Sequence, residues 1–426
     1  MIEFKNTLCF AKELDKEDKI SHYKKLFHFP KHNNKNVLYF TGNSLGLQPK
    51  SVRNAMLQEL TDWANLGEKG HFNATNPWYF YHKFLKNQTA NLVGANTSEV
   101  VCMNGLTVNL HLLFLSFYNP NKDKFKILCE SKMFPSDRYV LESQVRLHGL
   151  NPKDVLIEVC PRPGEFIINE DDILDLIEKN KNELLLVFLE GVNYYTGQFF
   201  NLKDISAAAH AVGAYVGYDL AHAVGNVELQ LHEWNVDFAA WCSYKYLNSG
   251  PGSVAGFFIN DTHHNNKDIF KLQGWWGNNE ETRFKMKNDF EGSDDVDAWQ
   301  LSNAPIFSMV SHKVSLDIFD EVGIKQLCEK SKLLTSYLEF IILQESSQHE
   351  VCNLEIITPA NKERRGCQLS ILTKGAGKEL YDYLSQHGVF VDWREPDVIR
   401  IAPVPLYNSF EDVFMFGQIL KKAISM

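Results

Sequence analysis

A lysine stands at the end of a strand-like pattern in the middle of this 426-residue chain. Lys245 follows the apolar run 236–242 and precedes the turn Gly250-Pro251-Gly252. An amine held where a buried strand ends is partly desolvated, which lowers its pKa and favours the neutral, nucleophilic form. Such an amine can form a Schiff base with an aldehyde cofactor. The position alone also fits an ordinary solvated lysine.

An aspartate ends the preceding strand pattern. Asp219 closes the apolar run 214–220 and lies one strand-to-strand step of an α/β unit before Lys245. Both side chains are therefore expected at the carboxyl edge of a parallel sheet, where open α/β folds bind ligands. Pyridoxal phosphate needs this pair, because the carboxylate holds the protonated pyridine nitrogen while the amine holds the aldehyde carbon. The alternative is a buried aspartate satisfied by backbone donors and an unrelated surface lysine.

Three further segments could bind anions or a heteroaromatic ring. Gly105-Leu106-Thr107 follows a strand pattern and opens a helix, where free amides and a hydroxyl can bind phosphate. Phe134 begins another helix and could stack on a ring, although a core phenylalanine is the simpler interpretation. Arg400 lies inside an apolar strand and needs an anionic partner. A substrate carboxylate would fit bidentately, and an internal salt bridge is the alternative.

The composition excludes several classes of protein. A hydrophobic content of 44% with 12% aromatic residues excludes disorder, and a net charge of −10 argues against general affinity for nucleic acid or anionic membranes. The eight cysteines are scattered, and neither they nor the 15 histidines show metal-ligand spacing. The longest apolar run, 184–189, is too short to span a bilayer. We therefore expect a cytoplasmic protein without a metal.

The pattern of the chain predicts an α/β fold with a second, smaller domain. Alternating strands and helices in the middle favour a mostly parallel sheet covered on both faces. After residue 305, long helical periodicity to about 344 and several strands indicate a smaller α+β domain. We expect an N-terminal segment 1–40 that packs on the small domain, a large domain 41–304 and a C-terminal domain 305–426. The predicted strands are 100–103, 125–129, 184–189, 214–220, 236–242, 254–259, 355–358, 366–372, 389–393 and 398–401, and the predicted helices include 108–117, 136–146, 171–179, 202–211 and 410–423.

Over nearly its whole length the chain resembles the kynureninases, fold-type-I pyridoxal-phosphate enzymes of the aspartate aminotransferase superfamily. The order and spacing of many short motifs make the resemblance specific. The motifs are Tyr39-Phe40-Thr41-Gly42-Asn43-Ser44-Leu45-Gly46-Leu47, Gly70-His71-Phe72, Gly105-Leu106-Thr107-Val108-Asn109, Phe134-Pro135-Ser136-Asp137, Tyr194-Tyr195-Thr196-Gly197-Gln198, Asp219-Leu220-Ala221-His222, Ser243-Tyr244-Lys245-Tyr246, Gly274-Trp275-Trp276-Gly277, Arg283-Phe284-Lys285-Met286, Ser302-Asn303-Ala304-Pro305 and Arg400-Ile401-Ala402-Pro403.

The resemblance implies roles for particular residues. Lys245 would carry the cofactor, Asp219 would pair with the pyridine nitrogen and Phe134 would stack on the ring. The rest of the implied cofactor pocket is Leu106, Thr107, Asp137, His222, Tyr244, Trp275 and Asn303, of which Trp275 and Asn303 would reach the site of a neighbouring subunit in a homodimer. The implied substrate groups are Ser44, His71 and Asn303 near the aromatic ring and Arg400 at the carboxylate.

The implied reaction is the hydrolysis of L-kynurenine or 3-hydroxy-L-kynurenine to anthranilate or 3-hydroxyanthranilate and L-alanine, in tryptophan catabolism or in NAD biosynthesis from tryptophan. Tyr244 is either a proton donor to the remaining carbon or only a phosphate ligand. Some relatives carry Ser or Thr where this chain has Glu190, whose carboxylate we expect to point away from the phosphate. A cysteine desulfurase, an aminotransferase and a cofactor-free scaffold are the alternatives. The preferred kynurenine stays open.

Overall fold

The computed structural model describes residues 3–347, 353–374 and 377–425. Within them the strands are β1 Lys31–His32, β2 Lys35–Asn36, β3 Leu38–Tyr39, β4 Val100–Met103, β5 Lys126–Glu130, β6 Leu156–Val159, β7 Leu184–Glu190, β8 Tyr215–Asp219, β9 Phe238–Trp241, β10 Ala255–Ile259, β11 Asn353–Ile356, β12 Leu369–Lys374, β13 Val389–Phe390, β14 Asp392–Arg394 and β15 Val398–Ile401.

The α-helices of the same residues are α1 Leu8–Glu17, α2 Val52–Leu66, α3 Gly70–Asn73, α4 Lys86–Val93, α5 Leu106–Phe117, α6 Pro135–Leu147, α7 Pro152–Val155, α8 Glu170–Lys179, α9 Leu202–Ala211, α10 Ile306–Val322, α11 Ile324–Ser346, α12 Gly377–Gln386 and α13 Phe410–Ile424. Short 3₁₀ helices span Ser21–Leu26, Gly67–Lys69, Trp78–Leu85, Thr97–Glu99, Asp261–His263, Arg283–Lys285, Val296–Trp299 and Lys362–Arg364.

A seven-stranded sheet in the order β4-β10-β9-β8-β7-β5-β6 forms the centre of the large domain. β10 runs antiparallel to both of its neighbours, whereas the pairings from β9 to β6 are parallel. Every residue of β7 and β10 is buried, as expected for strands covered on both faces. The prediction of a mostly parallel sheet is confirmed.

Helices cover both faces of this sheet. Because successive side chains of a strand point to opposite faces, the residues of β4 and residues 186–189 of β7 alternate between two separate apolar cores. Helices α5 and α6 pack into one core, and α8 and α9 into the other. The sheet is therefore held rigidly between two layers, and its carboxyl edge is left open for a site.

The smaller domain contains the antiparallel sheet β11-β12-β15-β14, with α11, α12 and α13 around a third core. The long helical pattern predicted from 305 to 344 is two helices, because Gly323 adopts a φ of +77° between α10 and α11. The single strand predicted at 389–393 is likewise divided. Its first half, β13, pairs in parallel with β3, and its second half, β14, joins the antiparallel sheet.

The N-terminal segment is attached to this smaller domain. Ala11 and Leu14 of α1 belong to the same apolar core as α11 and α13. The Asp15 carboxylate accepts hydrogen bonds from the backbone N–H groups of Phe410 at 2.7 Å and Glu411 at 2.9 Å, at the start of α13. The exact boundaries at 40 and 304 stay a prediction. No helix of the described residues is long and apolar enough to cross a membrane.

We predict that Asp15→Ala lowers the free energy of unfolding by about 2 kcal/mol, because the first turn of α13 then loses two acceptors for its free amides. Chemical denaturation of the purified protein measures the change. Glu17→Ala, at an exposed position of the same helix, is the control and should change the unfolding free energy little. An equal effect of both substitutions would contradict this account.

Candidate active site

Acidic residues end three neighbouring strands of the central sheet at its carboxyl edge. Glu130 ends β5, Glu190 ends β7 and Asp219 ends β8, and Glu190 and Asp219 are register partners. The next strand, β9, leads within four residues to Lys245. The parallel topology therefore brings one amine and several carboxyl groups into one small region.

Lys245 lies between an imidazole and an aromatic ring. Its Nζ is 3.0 Å from Nε2 of His222 and 5.7 Å from the centroid of the Phe134 ring. His222 is buried, and burial, together with the charges of Lys245 and Arg400, lowers the pKa of its imidazole well below the usual value. The imidazole is therefore neutral near pH 7 and can accept a hydrogen bond from the Lys245 ammonium.

Asp219 and Asp137 form a carboxyl pair beside the lysine. Burial is the largest cause that raises the pKa of Asp137 well above its usual value, followed by repulsion from Asp219 and Glu190 and a hydrogen bond with Asp219. The Ala221 N–H also donates to Asp219 at 2.7 Å. A protonated Asp137 can thus donate to an ionised Asp219. The Oδ2 atom of Asp137 is buried and has no hydrogen-bond partner among the described residues.

Two helix N-termini meet on the other side of the lysine. The cavity is lined by Gly105, Leu106 and Thr107 at the start of α5, a helix whose first amides have no side-chain cap. The Thr107 and Ser136 hydroxyl oxygens, from α5 and α6, are 3.0 Å apart. Uncapped amides and hydroxyl groups at a helix start can bind an anion, and the role in phosphate binding stays a prediction.

The loop that carries Lys245 is held by a close backbone contact. The Gly46 N–H donates to the Tyr244 carbonyl at 2.8 Å, and a Cβ atom on Gly46 would lie 2.4 Å from the Lys245 carbonyl oxygen. Only glycine permits this approach, which explains the Gly46 of the N-terminal motif. Tyr244 lines the cavity, and burial raises the pKa of its phenol, so the hydroxyl stays protonated.

Arg400 is fully buried and already has an internal partner. Its Nη2 contacts the Asp392 carboxylate and lies 3.2 Å from the Ser44 hydroxyl, which itself donates to Asp392. Its Nη1 donates to the Tyr194 carbonyl at 2.7 Å, whereas Nε has no partner among the described residues. The internal salt bridge that was the sequence-based alternative is therefore present, and the Nε–H is left for a further acceptor.

Five of the expected site residues do not line this cavity, namely Ser44, His71, Trp275, Asn303 and Arg400, of which Ser44 and Arg400 contact Asp392 as described above. Trp275 is 40% exposed and packs edge-on against Phe284, and Asn303 is exposed at the surface. The His71 ring packs against Trp78, with centroids 5.5 Å apart. One copy of the chain thus brings together Leu106, Thr107, Phe134, Asp137, Asp219, His222, Tyr244 and Lys245 around the cavity.

Sequence reasoning missed Glu130, Ser136 and Asp392 as site residues. Glu130 follows the strand predicted at 125–129, so the strand-end argument used for Asp219 could have found it. Glu190 lines the cavity, but both of its oxygens accept backbone N–H groups, those of Phe134 at 2.6 Å and Tyr194 at 2.7 Å.

A second group of ligand-type side chains lies away from this site. Atoms of Glu99, His232 and Asp261 lie within 4.8 Å of one another. The Glu99 oxygens accept the backbone N–H groups of Asn96 at 2.7 Å and Asp261 at 3.0 Å, and His232 lies 2.9 Å away. These contacts satisfy the buried carboxylate in the way a helix-capping residue does.

The cavity around Lys245, of about 230 Å³, fits pyridoxal phosphate. Phe134 offers an aromatic face to the ring, the Asp137–Asp219 pair a carboxylate for the protonated ring nitrogen, and Lys245 an amine for the aldehyde. The uncapped start of α5 with Thr107 and Ser136 offers donors to the phosphate. Asp219, hydrogen-bonded to Asp137 and buried in the cavity lining, is the acceptor that a protonated ring nitrogen would need.

Solved structures with the same fold include pyridoxal-phosphate enzymes. A C-DES mutant with glycine covalently linked to the PLP cofactor matches 90% of this chain and 96% of its own, with a TM-score of 0.75 and 15% identity. The cysteine desulfurase CsdA of Escherichia coli matches 96% of this chain and 98% of its own, with a TM-score of 0.76 and 14% identity. At this identity the likeness shows the fold alone, and it confirms the predicted fold class.

Sequence comparison identifies the family. A kynureninase of Flavobacterium psychrophilum is 54% identical over 421 residues, covering 99% of both chains. The human kynureninase is 45% identical over 427 residues, covering 96% of this chain and 91% of its own. The family model described as "Kynureninase C-terminal domain" matches residues 327–420. With such identity over nearly its whole length, the chain belongs to the kynureninase family.

Proposed function

We infer that this protein is a hydrolase that cleaves L-kynurenine, 3-hydroxy-L-kynurenine or both, with pyridoxal phosphate as cofactor. The products are anthranilate or 3-hydroxyanthranilate and L-alanine, and the reaction belongs to tryptophan catabolism. The observation that carries this inference is the position of the Lys245 amine, 3.0 Å from a neutral imidazole and in one cavity with the Asp137–Asp219 carboxyl pair. Family membership adds the substrate class.

When bound, pyridoxal phosphate supplies an electron sink that makes the bonds around the amino-acid Cα labile. Lys245 would anchor it and then, as a free amine, move a proton between Cα and the cofactor. His222 keeps an acceptor next to this amine, because the low pKa of the imidazole prevents the charged form. Asp219 would hold the ring nitrogen, and a protonated Asp137 would keep Asp219 ionised by donating a hydrogen bond to it.

Tyr244 is suited to donate a proton to the carbon that remains after the Cβ–Cγ bond breaks. Burial raises the pKa of the phenol, so the hydroxyl carries its proton at neutral pH. Its place in the same cavity as Lys245 and Thr107 is equally compatible with a hydrogen bond to the phosphate. We propose that one hydroxyl serves both purposes in turn.

The substrate would be oriented at both of its ends. Arg400, which has a free Nε–H, would bind the α-carboxylate next to Ser44 and Asp392. His71 and Asn303 would contact the aromatic ring. Neither lines the Lys245 cavity of its own chain, and Asn303 is exposed at the surface, so we propose that a second chain completes the ring end of the site.

We propose a homodimer with the site at the subunit interface. Trp275 and Phe284 belong to an exposed apolar patch that also includes Phe72 and Met286, and Met286 is 71% exposed. Soluble proteins rarely leave such a cluster uncovered. A twofold-related copy that covers this patch would also bring Trp275 and Asn303 to the neighbouring cavity.

We propose the cytoplasm as its compartment. The described cysteines, Cys9, Cys102, Cys129, Cys160, Cys242, Cys328 and Cys367, are free thiols, and five of them are buried. Free thiols in this number fit a reducing environment.

Lys245→Ala should abolish turnover of kynurenine, with a loss of at least about 10³-fold, because both the anchor and the proton carrier are removed. The variant should keep its fold, since Lys245 is only half-buried. Borohydride reduction and peptide mass spectrometry should find cofactor on residue 245 of the wild type and none on the variant. The control is Lys203→Ala at an exposed position. Substantial residual turnover of Lys245→Ala would contradict the assignment.

Arg400→Leu should raise the KM for kynurenine by about tenfold or more and change the Kd for pyridoxal phosphate little, because a charged hydrogen-bond donor to the carboxylate is lost. Steady-state kinetics and cofactor titration give the two constants. Arg365→Leu removes another buried guanidinium, paired with Glu339, and serves as the matched control for stability. Equal losses in KM and in cofactor affinity would assign Arg400 a structural role.

Mixing two impaired variants tests the shared site. One carries Lys245→Ala and the other carries both Trp275→Ala and Asn303→Ala. A hybrid dimer has one intact site if Trp275 and Asn303 act across the interface, so co-refolded equal amounts should recover about a quarter of the wild-type activity. No recovery, with hybrids demonstrated by native mass spectrometry, would place these residues in their own subunit's site.

A further inference from the structure

Glu190 joins two segments of the site that are distant in the chain. It is buried, with 3% of its surface exposed, and its two oxygens accept the backbone N–H groups of Phe134 at 2.6 Å and Tyr194 at 2.7 Å. Phe134 is the residue from which α6 begins, and Tyr194 lies in the loop after β7. One carboxylate therefore fixes the backbone of both segments.

The Phe134 contact acts on the cofactor side of the cavity. The Phe134 ring lies above the Lys245 amine, with Nζ 5.7 Å from the centroid. The ring also packs edge-on against Tyr194, with centroids 5.2 Å apart and planes at 81°. Since Phe134 is partly exposed, its backbone contact with Glu190 helps to define where the ring lies.

The Tyr194 contact acts on the substrate side. The Tyr194 carbonyl accepts a hydrogen bond from Nη1 of Arg400 at 2.7 Å and another from Nε2 of Gln368 at 3.2 Å. Tyr194 thus provides both the N–H that donates to Glu190 and the carbonyl that accepts from Arg400. A shift of the Tyr194 backbone would move the guanidinium.

A second buried acid, Glu130, accepts a hydrogen bond from the backbone of Glu190. The Glu190 N–H donates to Oε1 of Glu130 at 2.7 Å, and the Asn193 side chain donates to Oε2 of Glu130 at 2.7 Å. Burial and the neighbouring Glu130 raise the pKa of Glu190, while the two backbone N–H groups lower it. The carboxylate is costly to bury, so its two amide partners offset that cost.

We propose that Glu190 is a positioning residue that couples the ring of Phe134 to the carboxylate-binding Arg400, so that the cofactor and substrate sides of the site are aligned by one carboxylate. The assignment of those two sides rests on the proposed function. Each oxygen of Glu190 accepts a backbone N–H, so its role is argued through Phe134 and Tyr194.

Glu190→Ala tests this coupling in the holoenzyme with two ligands. The Kd for pyridoxal phosphate is measured by titrating the cofactor-depleted protein. The Kd for L-alanine is measured from the absorbance change of the bound cofactor, since alanine carries the carboxylate without the kynurenine ring. We expect each constant to rise by about tenfold, the effect of losing a charged hydrogen-bond acceptor. Glu190→Gln keeps the volume and one carbonyl acceptor, so it should keep the fold and raise at least one constant.

Double variants distinguish positioning from a general loss of stability. If Glu190 acts through Phe134, the double variant with Glu190→Ala and Phe134→Leu should raise the Kd for pyridoxal phosphate by less than the product of the fold increases seen in the two single variants. The same holds for the alanine Kd of Glu190→Ala with Arg400→Leu. Glu99→Ala is the matched control, because Glu99 is also a buried carboxylate with two backbone N–H donors. It should lower the melting temperature and leave both Kd values unchanged.

Two outcomes would overturn the proposal. The first is that Glu190→Ala lowers the melting temperature as Glu99→Ala does and leaves both Kd values at the wild-type level. The second is that the single effects multiply in both double variants. A wild type that binds pyridoxal phosphate and alanine but does not cleave kynurenine would refute the proposed function, while both Kd measurements would still decide the role of Glu190.

Discussion

The site depends on burying acids and an amine together at the edge of a parallel sheet. Parallel strands end on the same side, so the residues that close β5, β7 and β8 meet at one edge, where the loop after β9 adds Lys245. Buried carboxylates are expensive, and here backbone N–H groups, a shared proton or the Lys245 amine offset each of them. The layers of helices on both faces of the sheet keep these compensating groups in place.

The roles that follow from strand ends were predictable from the sequence. Asp219 and Lys245 each follow an apolar strand pattern, and the parallel topology places both in one cavity. The direction in which a side chain points was harder to predict from the sequence. Glu190 ends the same kind of strand, and only the folded structure shows that its oxygens accept hydrogen bonds from the amides of Phe134 and Tyr194. Such a contact depends on two loops whose backbone course no local pattern specifies.

The same limit appears in the fold. Periodicity predicted helices in 305–344, but it could not locate the break, because Gly323 is compatible with a helix interior at modest cost and only its positive φ separates α10 from α11. The strand at 389–393 is divided because β13 finds its partner in β3, more than three hundred residues earlier. Pairing at that sequence distance is decided by tertiary packing and leaves no mark in local composition.

Charge balance links the two ends of the proposed substrate site. Arg394 and Arg400 both contact the single carboxylate of Asp392, so the cluster of these three side chains has one positive charge without an internal partner. A substrate carboxylate would supply the missing anion without displacing Asp392. The same two guanidinium groups are among the causes that lower the pKa of His222. The surplus charge that suits the substrate therefore adds to burial and to the charge of Lys245 in lowering the pKa of His222, and a loss of Arg400 would weaken both effects together.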